Sequence, residues 1–125
     1  MSEILKKVVG LFVDIAPSEL DAVIASPEHH RLVMENQSVR VLETMIKPGE
    51  RTAVHTHQWP ASTYFLSWTD MVRRDDKGDV LMDSRISGMK IEPGQAVWTP
   101  PLGPHTLENV GYEVIHVITV EIKPQ

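Results

Sequence analysis

Residues 49–57 read GERTAVHTH. In an extended chain alternate side chains point to the same side, so His55 and His57 project together, about 7 Å apart along a strand. Neutral imidazole is the commonest side-chain ligand for first-row divalent metals, and this pair is placed to share one ion. Two histidines alone make a weak site, so a third donor must come from elsewhere. Residues 94–109, GQAVWTPPLGPHTLEN, supply the candidate. There a strand leads into the turn Pro100-Pro101-Leu102-Gly103-Pro104 and then His105. The prolines fix the backbone and the glycine permits a sharp reversal, which aims His105 at a fixed point. Three histidines leave coordination positions open, as a catalytic or substrate-binding metal requires.

Around these two stretches the pattern is β from Arg31 onward. Short runs rich in Val, Ile, Thr and aromatics fall at 32–35, 39–47, 62–68, 71–74, 80–83, 88–92, 96–99 and 113–122. Pro48-Gly49, Lys77-Gly78 and Pro93-Gly94 punctuate them as turns, and residues 75–78 read as a hairpin loop. Many short strands without a long helix between them predict an antiparallel barrel or sandwich. In the last strand, strict alternation groups Val114, His116, Ile118, Val120 and Ile122 on one face, read as inward, with Glu113 and Glu121 on the other. Residues 1–30 differ. Ile4, Leu5, Val8, Leu11, Phe12 and Ile15 recur at helical spacing, and Ser18 is the expected N-cap of a second short helix that Pro27 ends. The expected division is an N-terminal arm, 1–30, helical or extended, and a barrel domain, 31–125.

The two histidine stretches resemble the paired motifs of the cupins, the small double-stranded β-helix family. Motif one is Gly, five residues, His-x-His, three or four residues, Glu, six residues, Gly. Gly49, His55, Thr56 and His57 follow it. Motif two is Gly, five residues, Pro-x-Gly, two residues, His, three residues, Asn. Gly94, Pro101, Leu102, Gly103, His105 and Asn109 follow it, with one residue shifted before the proline and the Gly-to-His spacing one shorter. The resemblance spans residues 39–122. It implies an all-β fold, a cupin-type double-stranded β-helix (jelly-roll barrel), with one divalent metal ion on His55, His57 and His105. It also implies a structural role for Asn109. The motif-one glutamate would fall at Ala61 or Ser62, and Trp68 replaces the closing glycine. The implied site is therefore three neutral imidazoles without a carboxylate.

Similar three-histidine centres occur in cupins resembling cysteine dioxygenase and the diketone-cleaving dioxygenases, which use iron(II). The implied function is a metal-dependent dioxygenase or related oxidoreductase acting on a small organic molecule. Such a neutral set leaves the ion its full charge, which favours an anionic or enolate substrate. The alternatives are a non-catalytic binder or sensor and a metal-assisted isomerase or lyase, for which His116 is the inward base. Iron(II) is favoured by the resemblance, while zinc, nickel, manganese and copper also suit imidazole.

Parity places Ala61, Thr63 and Phe65 toward the cavity, together with His116. Trp98 either borders the cavity or packs, and Trp59 is either a lid or a packing residue. Gln58 has the wrong parity for a ligand. His29 and His30 read as surface or interface histidines. Tyr64 and Trp68 face the other sheet surface, and with the apolar arm they predict a homodimer.

The formal net charge of −5 excludes the basic surface that nucleic acid requires, and Arg73-Arg74-Asp75-Asp76 reads as a solvated turn. With no cysteine there is neither a disulfide nor a thiolate ligand. The apolar run 8–13 is too short for a signal-peptide core or a membrane span, so the expected location is cytoplasmic. No inward pair of carboxylates, Ser-His-Asp set or phosphate-binding loop is evident.

Overall fold

The computed structural model describes residues 18–125. The expected helical periodicity between Ile4 and Ile15 lies outside the described residues. The first described element is one helical turn, α1 (Ala22–Ala25). Its N-cap is Asp21, whose carboxylate accepts a 3.1 Å hydrogen bond from the Val23 N–H. Ser18, the expected cap, instead accepts from the Leu20 N–H. Asp21 prevails because its carboxylate is also gripped by a buried arginine described below.

Nine strands follow among the described residues: β1 (His30–Glu35), β2 (Val39–Ile46), β3 (His55–His57), β4 (Ala61–Ser67), β5 (Met71–Asp75), β6 (Val80–Asp83), β7 (Ala96–Thr99), β8 (Leu102–Asn109) and β9 (Ile115–Ile122). A second helical turn, α2 (Ser84–Ser87), follows β6. The strands form a five-stranded antiparallel sheet in the order β1-β2-β9-β4-β7 and a four-stranded one in the order β3-β8-β5-β6. The turns have clear local causes. Asn36 Oδ1 accepts from the Ser38 and Val39 N–H groups between β1 and β2. Asp75 Oδ1 does the same for Lys77 and Asp79, and Gly78 takes the positive φ the hairpin needs.

Three expectations are corrected. Residues 88–92 are not a strand; Gly88, at φ 75°, caps α2 instead. The rigid turn before His105 is shorter than predicted, because the chain is already strand β8 from Leu102. Pro104 fits within that strand at a register irregularity against β3, where no ladder N–H is required of it. Finally, the facing of β9 is inverted. Ile115, Val117 and Glu121 are buried, whereas His116, Ile118, Val120 and Ile122 lie on the outer face. Both faces of β9 carry aliphatic residues, so hydrophobic alternation could not choose between them.

The interior is graded along β9. Ile115 pairs with Ile46, Val117 with Thr44, and Glu121 with Arg40. Ile46, Met71 and Ile115 form an apolar floor, joined by Trp68, Met82, Met89 and Leu107. The opposite end is polar. Asn109, fully buried, closes the floor by donating to the carbonyls of Ile46 and Glu113 and accepting from the Gly111 N–H, the structural role its motif implies. On the outer face, Tyr64, Leu66 and Trp98 are exposed. No helix among the described residues is long and apolar enough to cross a membrane.

Candidate metal centre

Four imidazoles gather at the polar end of the barrel. His55 and His57 lie on β3, His105 is paired with His55 across β3 and β8, and His30 opens β1 from the facing sheet. The His55 ring centroid is 4.3 Å from that of His105, 4.5 Å from His30 and 5.0 Å from His57. His57 is 5.7 Å from both His30 and His105. Ligand atoms of His30, His55 and His57 all lie within 4.8 Å of one another. The structure therefore groups His30 with the predicted pair most tightly, and sets His105 against the same His55 ring.

His30 was expected at the surface. It is 4% exposed, because the strand begins two residues earlier than the sequence pattern indicated and its first side chain points inward beside Thr44. Local parity could not show this: the register against β2 shifts between Leu32 and Met34, so alternation counted back from the Asn36 turn fails, and it is the pairing with Thr44 that sets His30 inward. His29 points elsewhere, toward Glu50.

Each of the four rings is held by its Nδ1. His30 Nδ1 is 3.0 Å from the Ser26 carbonyl, His55 2.8 Å from Ala53, His105 2.7 Å from Gly103, and His57 3.0 Å from a carboxylate oxygen of Glu121. A carbonyl or carboxylate only accepts, so each Nδ1 carries a proton and donates it. Metal-binding histidines are oriented this way, with the second nitrogen donating to a carbonyl or carboxylate. Burial, the largest cause, lowers the pKa of His30 and His105 to about 4 and of His55 to about 2. These three rings are thus neutral at ordinary pH, with a lone pair free on Nε2. Three buried neutral imidazoles with His57 beside them fit a first-row divalent ion.

Behind His57 lies a chain of buried charges that sequence reading missed. Arg40 Nε donates to Glu121 at 2.7 Å, and its two terminal nitrogens grip Asp21 at 2.7 and 3.0 Å. Arg40, Asp21 and Glu121 are all at most 4% exposed. Burial pulls the Arg40 pKa down, but its hydrogen bonds to Asp21 and Glu121 outweigh that and raise it above its ordinary value. Asp21, cap of α1 and bridged to Thr56 beside the histidine pair, is thereby tied to the site. Glu121 had been assigned outward as a charged residue; its buried partners account for its inward position.

The histidines border a cavity of about 120 Å³. Ala61, Thr63 and Phe65 line it, with Val117 and Thr119 of β9 beside them. Two predicted lining residues do not. Trp98 is 61% exposed on the outer face, and its neighbour Thr99 lines the cavity instead. His116 is bonded to Glu43 at 2.7 Å on the outer face. Trp59 both borders the cavity and packs over Arg40, 5.1 Å from the guanidinium carbon. Trp68, expected on the outer surface, lines the cavity and meets Phe65 edge-on at 4.9 Å. Arg73 is not in a solvated turn. It is an interior residue of β5 and part of the cavity wall.

No protein-family model and no curated protein sequence matches the chain. Solved structures do. A cupin domain protein from Bordetella pertussis Tohama I matches with a TM-score of 0.61 and 19% identity, over 76% of this chain and 92% of that one. An RmlC-like cupin with a double-stranded β-helix fold from Methanocaldococcus jannaschii matches with a TM-score of 0.54 and 11% identity, over 75% and 78%. The polyketide cyclase RemF from Streptomyces resistomycificus matches with a TM-score of 0.52 and 18% identity, over 91% and 81%. With the antiparallel topology and the histidine geometry, these likenesses show that the chain has the cupin fold, a double-stranded β-helix with a candidate histidine metal site.

Proposed function

We propose that this chain is a metal-dependent cupin, with one divalent ion held by Nε2 atoms of the His30, His55, His57 and His105 cluster, and that it acts as a dioxygenase or related oxidoreductase on a small organic molecule. The observation that carries the proposal is the set of four clustered imidazoles, three of them buried and His57 half-buried, each pinned through Nδ1. His30 provides the donor that the absent motif-one carboxylate would otherwise provide. The set stays electrically neutral, and an iron(II) ion on it would supply Lewis acidity and redox chemistry. The chain's own residues do the rest. Glu121 orients His57 and fixes its tautomer. Phe65, Leu107 and Val117 keep the cavity wall apolar, and its small volume restricts the occupant.

The test is oxygen consumption by protein loaded anaerobically with iron(II), across diketones, thiols and catechols. Turnover that disappears in His55→Ala supports the proposal. Background rates throughout, from protein carrying stoichiometric iron, contradict it. A non-catalytic binder is the second reading, favoured by one observation: Glu121, the carboxylate nearest the histidines, is occupied by Arg40 and His57 and is not a free base. Isomerase or lyase chemistry loses its named base, because His116 faces away from the cavity. The expected homodimer belongs to the proposal as well, through the exposed Tyr64, Leu66 and Trp98. Light scattering that finds only monomer at micromolar concentration would remove it.

A further inference from the structure

Among the described residues, the cavity wall holds one arginine or lysine, Arg73, and no carboxylate. Its Nε is buried and has no hydrogen-bond partner, and no ion pair engages the guanidinium among the described residues. The adjacent Arg74 makes the contrast plain: it faces outward and pairs with Glu108 at 2.6 Å. A second buried donor in the same wall, Trp68 Nε1, is also without a partner. Burying an unpaired cation and an unpaired N–H destabilises a fold, and such groups persist where a ligand satisfies them.

Arg73 sits within reach of the histidines. It pairs with Leu107 across β5 and β8, while Asp75 pairs with His105. Arg73 is therefore the diagonal neighbour of His105 on the inner face, a spacing that long side chains span. The rest of the wall near it is apolar, with Phe65, Leu102, Leu107 and Val117.

We infer that the cavity binds a small organic anion, a carboxylate or an enolate, whose negative oxygen is held by the Arg73 guanidinium while its carbon body lies on the apolar wall. This rests on the metal-site reading and names the substrate class for it. Arg73 fixes the charged end of the molecule, and the histidine cluster faces the remainder. A neutral molecule would leave Arg73 unpaired.

The test is calorimetric titration with three probes: lactate, lactamide of nearly the same shape but no charge, and inorganic phosphate. Zinc-loaded and chelator-stripped protein are compared, with metal content measured on every sample. Lactate is expected to bind at least about tenfold more tightly than lactamide or phosphate. Arg73→Met should remove about tenfold or more of the lactate affinity, leaving lactamide binding and zinc stoichiometry unchanged, and Arg73→Lys should retain part of the preference. Arg73 is half-buried and its removal breaks no hydrogen bond or ion pair among the described residues, so Tm should stay unchanged or rise and the methionine variant is expected to fold. Should it fail to fold, the lactate-over-lactamide preference of the wild type and the lysine variant decides.

Equal affinity for lactate and lactamide, a preference for phosphate, or wild-type lactate binding in Arg73→Met would overturn the inference. Its failure is separable from failure of the metal reading. Protein that takes up no zinc yet keeps an Arg73-dependent lactate preference contradicts only the metal site. Protein with one zinc and no such preference contradicts only the anion.

Discussion

Glu121→Gln tests whether the buried charges behind His57 act as one unit. Glu121 is fully buried and accepts from two donors, Arg40 Nε at 2.7 Å and His57 Nδ1 at 3.0 Å. A carboxamide has one acceptor oxygen, so it satisfies one donor and presents its own N–H groups to the other. Leaving a buried donor unsatisfied costs about 1–3 kcal/mol, and breaking a buried ion pair about 3–5 kcal/mol. Arg40 keeps its two bonds to Asp21, which places the expected loss near the overlap, about 3 kcal/mol. With a urea m-value of about 1–3 kcal/mol/M, the unfolding midpoint should fall by at least about 1 M. Metal affinity, measured by chelator competition, should fall about 10–100-fold as His57 loses its fixed tautomer. Glu43→Gln is the control. Glu43 bonds His116 and Arg31 on the outer face, where solvent screens such pairs and they contribute little, and its loss should leave metal affinity unchanged. The reasoning is refuted if Glu121→Gln behaves like Glu43→Gln in both assays.

Two further outcomes follow from the same geometry. Because burial depresses His30, His55 and His105 below 6.5, the unfolded chain binds protons that the folded chain does not. Stability of the metal-free protein is therefore fully present above about pH 6.5 and declines toward about pH 4, by up to about 4 kcal/mol per pH unit if all three histidines contribute. Urea unfolding at several pH values checks this, and a flat profile between pH 7 and 5 would contradict it. His116→Ala and Trp98→Ala should leave metal content unaltered, whereas His30→Ala should lower it. Elemental analysis that ranks His30→Ala with the first two would return His30 to a packing role.

The β character, most strand positions and the cupin fold were legible because turn residues and period-two alternation are local signals. The paired histidine motifs were legible because their spacing along the chain is set by strand geometry. His30, Glu121 and Arg73 were not read as interior, for a shared reason. Each is a polar residue whose burial depends on a partner distant in sequence or on the register of the neighbouring strand. Glu121 is inward because Arg40 and His57 await it there. Arg73 was within a predicted strand, yet the Arg-Arg-Asp-Asp run suggested solvent more strongly than its parity suggested the cavity. On β9 the pattern itself was ambiguous, since both faces are aliphatic and only pairing with β2 and β4 selects the inner one.

The most direct measurement is X-ray absorption at the metal edge, with elemental analysis, on protein purified without a histidine tag. One ion per chain with a nitrogen-rich, imidazole-dominated shell that loses imidazole scattering in both His30→Ala and His105→Ala is the predicted result. No stoichiometric metal in the wild type, or a shell that neither substitution alters, would contradict the convergence of these rings on a common ion.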